Sequence, residues 1–288
     1  MQFQNQGESS NVEDRRGLSP RVAAGGGMAI LAIVIGLIFG KDAQQFFVKL
    51  QQNPALQGGG AAAGPNQKAD PNDPFTKFSK KLMKSTEDVW NDVFRKAGQR
   101  YEEPKMVIFN DAVSTNGCGN APSAVGPFYC PADKTLYLDP TFFDELENKL
   151  GGSKGKFSQS YVIAHEVGHH VQNLLGYSEI VDQKRKSPDA NEYSVRLELQ
   201  ADYLAGVWAH HAVKRGDIVI DNSDVREALK TASAIGDDML QKKSKGWTSP
   251  ESYTHGTADQ RYKYFQLGLE TGDLSKLQSF FKLPYGQL

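Results

Sequence analysis

Apolar positions along the chain recur with two periods, one helical and one extended. Between residues 75 and 97, Phe78, Leu82, Val89, Val93 and Phe94 approximate one helical stripe, with Trp90 beside it. Ile163, Val167, Val171 and Leu174 fall at i, i+4, i+8 and i+11, one apolar face of a helix over 158–175. Ser158 suits its N-cap and Gly176 its C-terminal stop. Further helices are predicted over 141–150, 188–214, 223–243 and 257–270. Ser187 and Pro188 suit the start of the second of these, and Lys214, Arg215 and Gly216 its end. Thr257 with Gln260 three residues on forms a capping box for the last. "KMVIFN" (105–110) and "TLYLD" (135–139) read as strands, the latter as the best exposed sheet edge. The predicted class is α+β, dominated by helices.

One stretch departs from both periods. Residues 22–40, "VAAGGGMAILAIVIGLIFG", carry no charge at all. As a helix they would rise about 28 Å, close to the hydrocarbon thickness of a bilayer. They therefore predict a single, uncleaved N-terminal transmembrane helix. Arg15, Arg16 and Arg21 precede it, whereas only Lys41, beside Asp42, follows closely. The positive-inside rule then keeps the N-terminus in the cytoplasm and exports the rest from the inner membrane. Residues 51–74 are rich in Gly, Ala, Pro, Asn and Gln, as a flexible spacer would be. The expected layout is a cytoplasmic tail (1–21), an anchor (22–40), a linker (41–74) and a domain (75–288). Net charge is −1 with no basic tract, which argues against nucleic acid as a partner.

Both cysteines, Cys118 in "NGCGNA" and Cys130 in "PFYCPAD", lie among loop-forming residues. In an exported domain such a pair reads as a disulfide, contributing about 2–3 kcal/mol. Two alternatives stand beside it: free thiols, or Cys130 as a metal ligand upstream of His165, as in peptide deformylases.

The candidate chemistry lies in "VIAHEVGHHVQ" (162–172). At about 100° per residue, His165 and His169 share a face opposite the Ile163 stripe and lie one turn apart. Their imidazoles can converge on one metal. Glu166 projects about 60° from His169, placed to reach a water on that metal without ligating it. His170 is off the ligand face and reads as a neighbour of the site or a surface residue. Gly168 costs about 1 kcal/mol of helix propensity against Ala, which suggests close packing at that turn. A third ligand is needed. Candidates are Glu179, Asp182, Asp189, Glu192, Glu198, Asp202, His210, His211 and His255. Glu198 and Asp202 share a face among the small residues Ala201, Ala205, Gly206 and Ala209, which admit a close helix neighbour. Packing of that face on Gly168 takes Glu198 to the metal and Asp202 behind a ligand histidine, where it fixes the tautomer.

"HEVGHH" followed by "ELQADYLAGVW" is similar to the glutamate-zincin pattern HExxH…ExxxD. With "ESSNVEDRRG", "CGNAPSAVGPFYCPADKTLYLD" and "SYTHGTADQR", the chain resembles a bacterial family of membrane-anchored neutral zinc metallopeptidases, the YpfJ-like proteins. The resemblance implies a zincin-like fold, one Zn2+ held by His165, His169 and Glu198, and Glu166 as general base. It implies an exported domain but no substrate; the leading expectation is a membrane-tethered zinc endopeptidase acting on peptide or protein substrates on the exported side. His255 is the candidate donor to the developing oxyanion, with Tyr253 and Arg261 as alternatives. Two rival functions are a zincin-fold binding scaffold without catalysis and a deformylase-like amide hydrolase using Cys130.

Overall fold

A computed structural model describes residues 1–4, 6–16, 70 and 72–288. Asp73 caps the first helix, α1 (Pro74–Lys96), by accepting from the Thr76 amide, and proline occupies the first turn. Leu82, Val89, Trp90 and Phe94 of α1 are buried against the rest of the domain. Strands β3 (Lys105–Ile108), β4 (Ala112–Ser114), β5 (Asn120–Pro122), β6 (Phe128–Cys130) and β7 (Thr135–Leu138) follow. Short helix α2 (Thr141–Glu145) and a π-helical turn (Leu146–Leu150) lead into α3 (Lys156–Leu174). Then come α4 (Tyr177–Lys184), α5 (Ala190–Arg215), strand β8 (Ile218–Val219), α6 (Asn222–Ala234), α7 (Asp237–Lys245), α8 (Ala258–Thr271) and α9 (Ser279–Lys282). The class is mostly helical α+β, as expected.

Ahead of α1, two short strands come from the N-terminal segment: β1 (Gln2–Phe3) pairs antiparallel with β8, and β2 (Val12–Asp14) pairs parallel with β3. The main sheet has the order β2-β3-β7-β6, with β7 antiparallel to β6. "TLYL" is thus an interior strand, buried throughout, and the sheet's two edges fall to β2 and β6.

Two parts of the expected layout are corrected. Among the described residues no helix is long and apolar enough to cross a membrane, so the N-terminal transmembrane helix is not supported; residues 22–40 lie outside the described residues. Residues 1–16, expected as a separate cytoplasmic tail, are part of the folded domain. Val12 is buried, and Ser9 and Asn11 donate to buried Glu87 on α1 at 2.5 and 2.9 Å. Arg16 contacts Asp73 at 2.7 Å and Thr76 at 2.8 Å, so the chain on either side of 17–72 meets at one point.

Three helix ends differ from expectation. Helix α3 begins after Gly155, leaving Ser158 buried inside it. Helix α5 has Asp189, not Ser187, at its N-cap. The helix predicted over 223–243 is two, α6 and α7, meeting at Gly236. A Cβ there would lie 2.4 Å from the Ala258 amide nitrogen, so this close approach excludes a side chain. The capping box of Thr257 and Gln260 starts α8 as expected.

The core buries Tyr161, Trp208 and Phe265 of α3, α5 and α8, with Trp90 of α1 in the same cluster. The small-residue face of α5 serves two neighbours. Gly206 and Gly268 bring the backbones of α5 and α8 together, while Gly168 on α3 faces Ala201. A Cβ on Gly168 would lie 3.0 Å from the Ala201 carbonyl oxygen and 3.2 Å from its Cα. Gly168→Ala would gain about 1 kcal/mol of helix propensity and lose about 1–3 kcal/mol to overpacking against backbone that cannot rotate away. The net expectation is a melting temperature lower by about 2–4 °C, measured by calorimetry. An unchanged or higher value would show that α3 and α5 can separate freely.

Candidate metal centre

Helix α3 carries His165 and His169 one turn apart, their rings 4.7 Å between centroids and nearly perpendicular. The packing of Gly168 on Ala201 sets Glu198 of α5 opposite them. His165 Nε2 lies 3.2 Å from Glu198 Oε2, and His169 Nε2 lies 3.4 Å from Glu198 Oε1. One ligand atom from each of the three residues lies within 4.8 Å of the others.

Each histidine is held from behind. His165 Nδ1 donates to Asp202 Oδ1 at 2.8 Å. His169 Nδ1 donates to Gln172 Oε1 at 2.9 Å. The Gln172 amide nitrogen donates in turn to Leu197 O at 2.6 Å and Gln200 Oε1 at 2.9 Å, which fixes its orientation. Both Nε2 atoms therefore face the same point.

Asp202 is fully buried and collects three more donors: Tyr161 Oη at 2.6 Å, and Arg261 through Nε at 2.8 Å and Nη2 at 2.9 Å. Burial disfavours its charge, but Arg261 and His165 outweigh that and hold its pKa down to about 2. Burial likewise opposes charge on His165, yet Asp202 and Glu198 carry it up to about 10. Burial would raise Glu198, but His169 and His165 bring it below its usual range. Glu166, 9% exposed, is pushed up by burial against the opposing pull of both histidines.

The donor set fits zinc on two grounds. Two imidazole nitrogens and one carboxylate oxygen with an open side are the ligands of catalytic zinc. Charge also matches: with His165 and His169 neutral, as metal ligands must be, the carboxylates of Glu166, Glu198 and Asp202 face one guanidinium, Arg261, and one divalent ion balances the excess. Without a cation such burial would be costly.

The centre opens into a cleft of about 540 Å3. Its lining includes the apolar Phe142, Leu150, Val162, Ile235 and Leu240 and, in or just after α4, the charged Glu179, Asp182 and Arg185. Edge strand β6 forms one wall through Phe128 and Tyr129. His255 also lines the cleft. Asp237, at the start of α7, accepts from His255 Nδ1 at 3.1 Å and from the amides of Thr254, His255 and Gly256 at 2.7, 2.6 and 3.1 Å. Burial lowers the His255 pKa, but Asp237 more than offsets this and raises it.

The family profile described as "Putative neutral zinc metallopeptidase" matches residues 1–280. The chain belongs to this family. It is 42% identical over 295 residues to the protein YpfJ of Escherichia coli K12, covering 98% of this chain and 99% of that one. It is 43% identical over 210 residues to the protein Rv2575 of Mycobacterium tuberculosis H37Rv, covering 70% and 69% of the two. No solved structure matches the chain. Membership implies zinc, and the cluster of His165, His169 and Glu198 is able to hold it.

Other expected residues fall in different places. Glu179 and Asp182 line the outer cleft, whereas His210 and His211 bond to the carbonyls of Leu269 and Gly272. The guanidinium of Arg261 is engaged with Asp202, Tyr161 and the Ile235 carbonyl. Cys118 and Cys130 form a disulfide with a Cα separation of 6.0 Å. Cys130 is therefore no metal ligand, and the deformylase-like reading loses its ligand. Three supports were not anticipated: Gln172, Asp237, and Arg261 as partner of Asp202. Only Gln172, at i+3 from His169, had a local signal.

Proposed function

We propose that the protein is a zinc-dependent endopeptidase in which Glu166 is the general base. The convergence of His165, His169 and Glu198 beside Glu166, at the floor of a cleft walled by a sheet edge, carries this reading. Bound zinc supplies the Lewis acidity that makes a water acidic near neutral pH. Glu166 takes that water's proton as its oxygen adds to the scissile carbon, then hands the proton to the leaving nitrogen. His255, oriented through Nδ1 by Asp237, donates from Nε2 to the carbonyl oxygen as charge builds there. A substrate chain adds to the free edge of β6 by main-chain hydrogen bonds. The disulfide favours an oxidising, extracytoplasmic setting.

The direct test is metal analysis of the purified protein, followed by digestion of a peptide library before and after chelation and zinc restoration. Zinc-dependent internal cleavage supports the proposal. A zinc-loaded protein that cleaves no peptide would favour a binding scaffold.

A pH dependence follows. His255 acts as a donor while protonated, and Asp237 keeps it so to higher pH. Asp237→Asn is expected to move the alkaline limb of kcat/KM to lower pH, with the acidic limb in place. An alkaline limb that does not move in a folded variant would remove His255 from this role.

A further inference from the structure

His170, next to the ligand His169, is fully buried, and its ring meets Tyr101 and Tyr129 edge-on with centroids 5.6 and 5.4 Å away. Its Nε2 lies 2.6 Å from the carbonyl oxygen of Glu102, which can only accept, so Nε2 carries the proton. Nδ1 of the neutral ring then accepts, and the Tyr129 hydroxyl donates to it at 2.9 Å. The same hydroxyl accepts from Asn173 Nδ2 at 3.2 Å. A single direction of donation therefore runs from Asn173 through Tyr129 and His170 to the backbone before β3.

Tyr129 is the middle residue of β6, paired with Leu136 on its inner side and facing the cleft region on its outer side. Among the described residues, the side-chain hydrogen bonds joining β6 to α3 are the two at the Tyr129 hydroxyl. Their α3 partners, His170 and Asn173, lie on either side of the next turn after His169, the second ligand. The rest of what holds β6, its pairing with β7 and the Cys118–Cys130 disulfide, ties it to the sheet and its loop and not to α3.

We infer that Tyr129 and His170 form a positioning strut that sets the distance between the substrate-binding edge of β6 and the metal ligands on α3. Neither residue touches the reacting atoms; both act through the strand. This rests on the peptidase reading above and adds to it a role for the third histidine of "HEVGHH". The strut predicts which kinetic constant responds. An extended peptide uses the strand edge to bind, so loosening β6 weakens binding while the ligands and Glu166 stay in place.

The test compares wild type with Tyr129→Phe, which keeps the ring and removes the hydroxyl, and with His170→Gln, which can still donate and accept. Three quantities are read: zinc per chain, kcat and KM for an eight-residue peptide, and amide hydrogen exchange across 126–131 and α3. For Tyr129→Phe, KM is expected to rise about fivefold, the worth of one hydrogen bond, with kcat and zinc content held. Exchange across 126–131 should quicken while α3 stays protected. His170→Gln should fall between the two. Exchange that is unchanged in Tyr129→Phe overturns the strut, whatever the activity. Loss of zinc or a fall in kcat at constant KM also overturns it, because the pair would then act on the metal. If wild type cleaves no peptide, the peptidase reading fails on its own, and the exchange measurement still decides the strut.

Discussion

Replacing Glu166 with glutamine is expected to abolish peptide cleavage while leaving zinc and fold in place. The side chain lies beside the metal-facing histidines but is not one of the three converging ligands. Its removal therefore costs a proton acceptor, not a metal bond. The expected fall in kcat is roughly a hundred- to ten-thousandfold, the range for a positioned general base. Stability should hold or rise. Glutamine keeps the size of the side chain and gives up a charge that burial opposes and the two histidines favour. Metal analysis, a melting curve and a quenched-fluorescence peptide assay decide the matter. Substantial residual cleavage would remove Glu166 from the mechanism; lost zinc would make it a ligand.

Glu198→Ala should have the opposite signature, with zinc lost first and activity lost as a result. Its carboxylate lies 3.2 and 3.4 Å from the two Nε2 atoms, and no other carboxylate joins that cluster among the described residues. Competition against a chelator of known affinity should show a loss exceeding the roughly 10- to 100-fold typical of outer partners. Asp202→Asn, which weakens the support of His165 without removing a ligand, should fall within that range. Equal losses in the two variants, or normal zinc in Glu198→Ala, would overturn the assignment.

What was legible in the chain was whatever a single helix could encode. The spacing of His165, Glu166 and His169 sets their faces, and Glu198 with Asp202 follows from the same period on α5. Gly168 signalled its contact because a glycine there is otherwise unfavourable. The supports were hidden by distance in the chain. Arg261 meets Asp202 across 59 positions, and Asp237 meets His255 across 18 and a change of direction at a helix junction. The edge of the sheet was misassigned because β3, β7 and β6 are all short and buried, and order in a sheet is set by pairing, not by hydropathy. Strand β2 reads Val-Glu-Asp, too short and too polar to announce itself, and becomes a strand only through β3. The length of the apolar run at 22–40, its lack of charge and the arginines before it carry no information about where its flanks meet.

That meeting point has a consequence for how the protein responds to cutting. Arg16 and Asp73 are in contact, and the strands before them are hydrogen-bonded into the domain that follows. A single break in the chain between these residues would not detach the N-terminal piece; it would convert one folded chain into a two-fragment complex. Retention of β1 and β2 would then depend on concentration, as any association does. The segment lost on dilution would be the one that pairs β3 and engages Glu87, and adding it back as a synthetic peptide should restore the sheet.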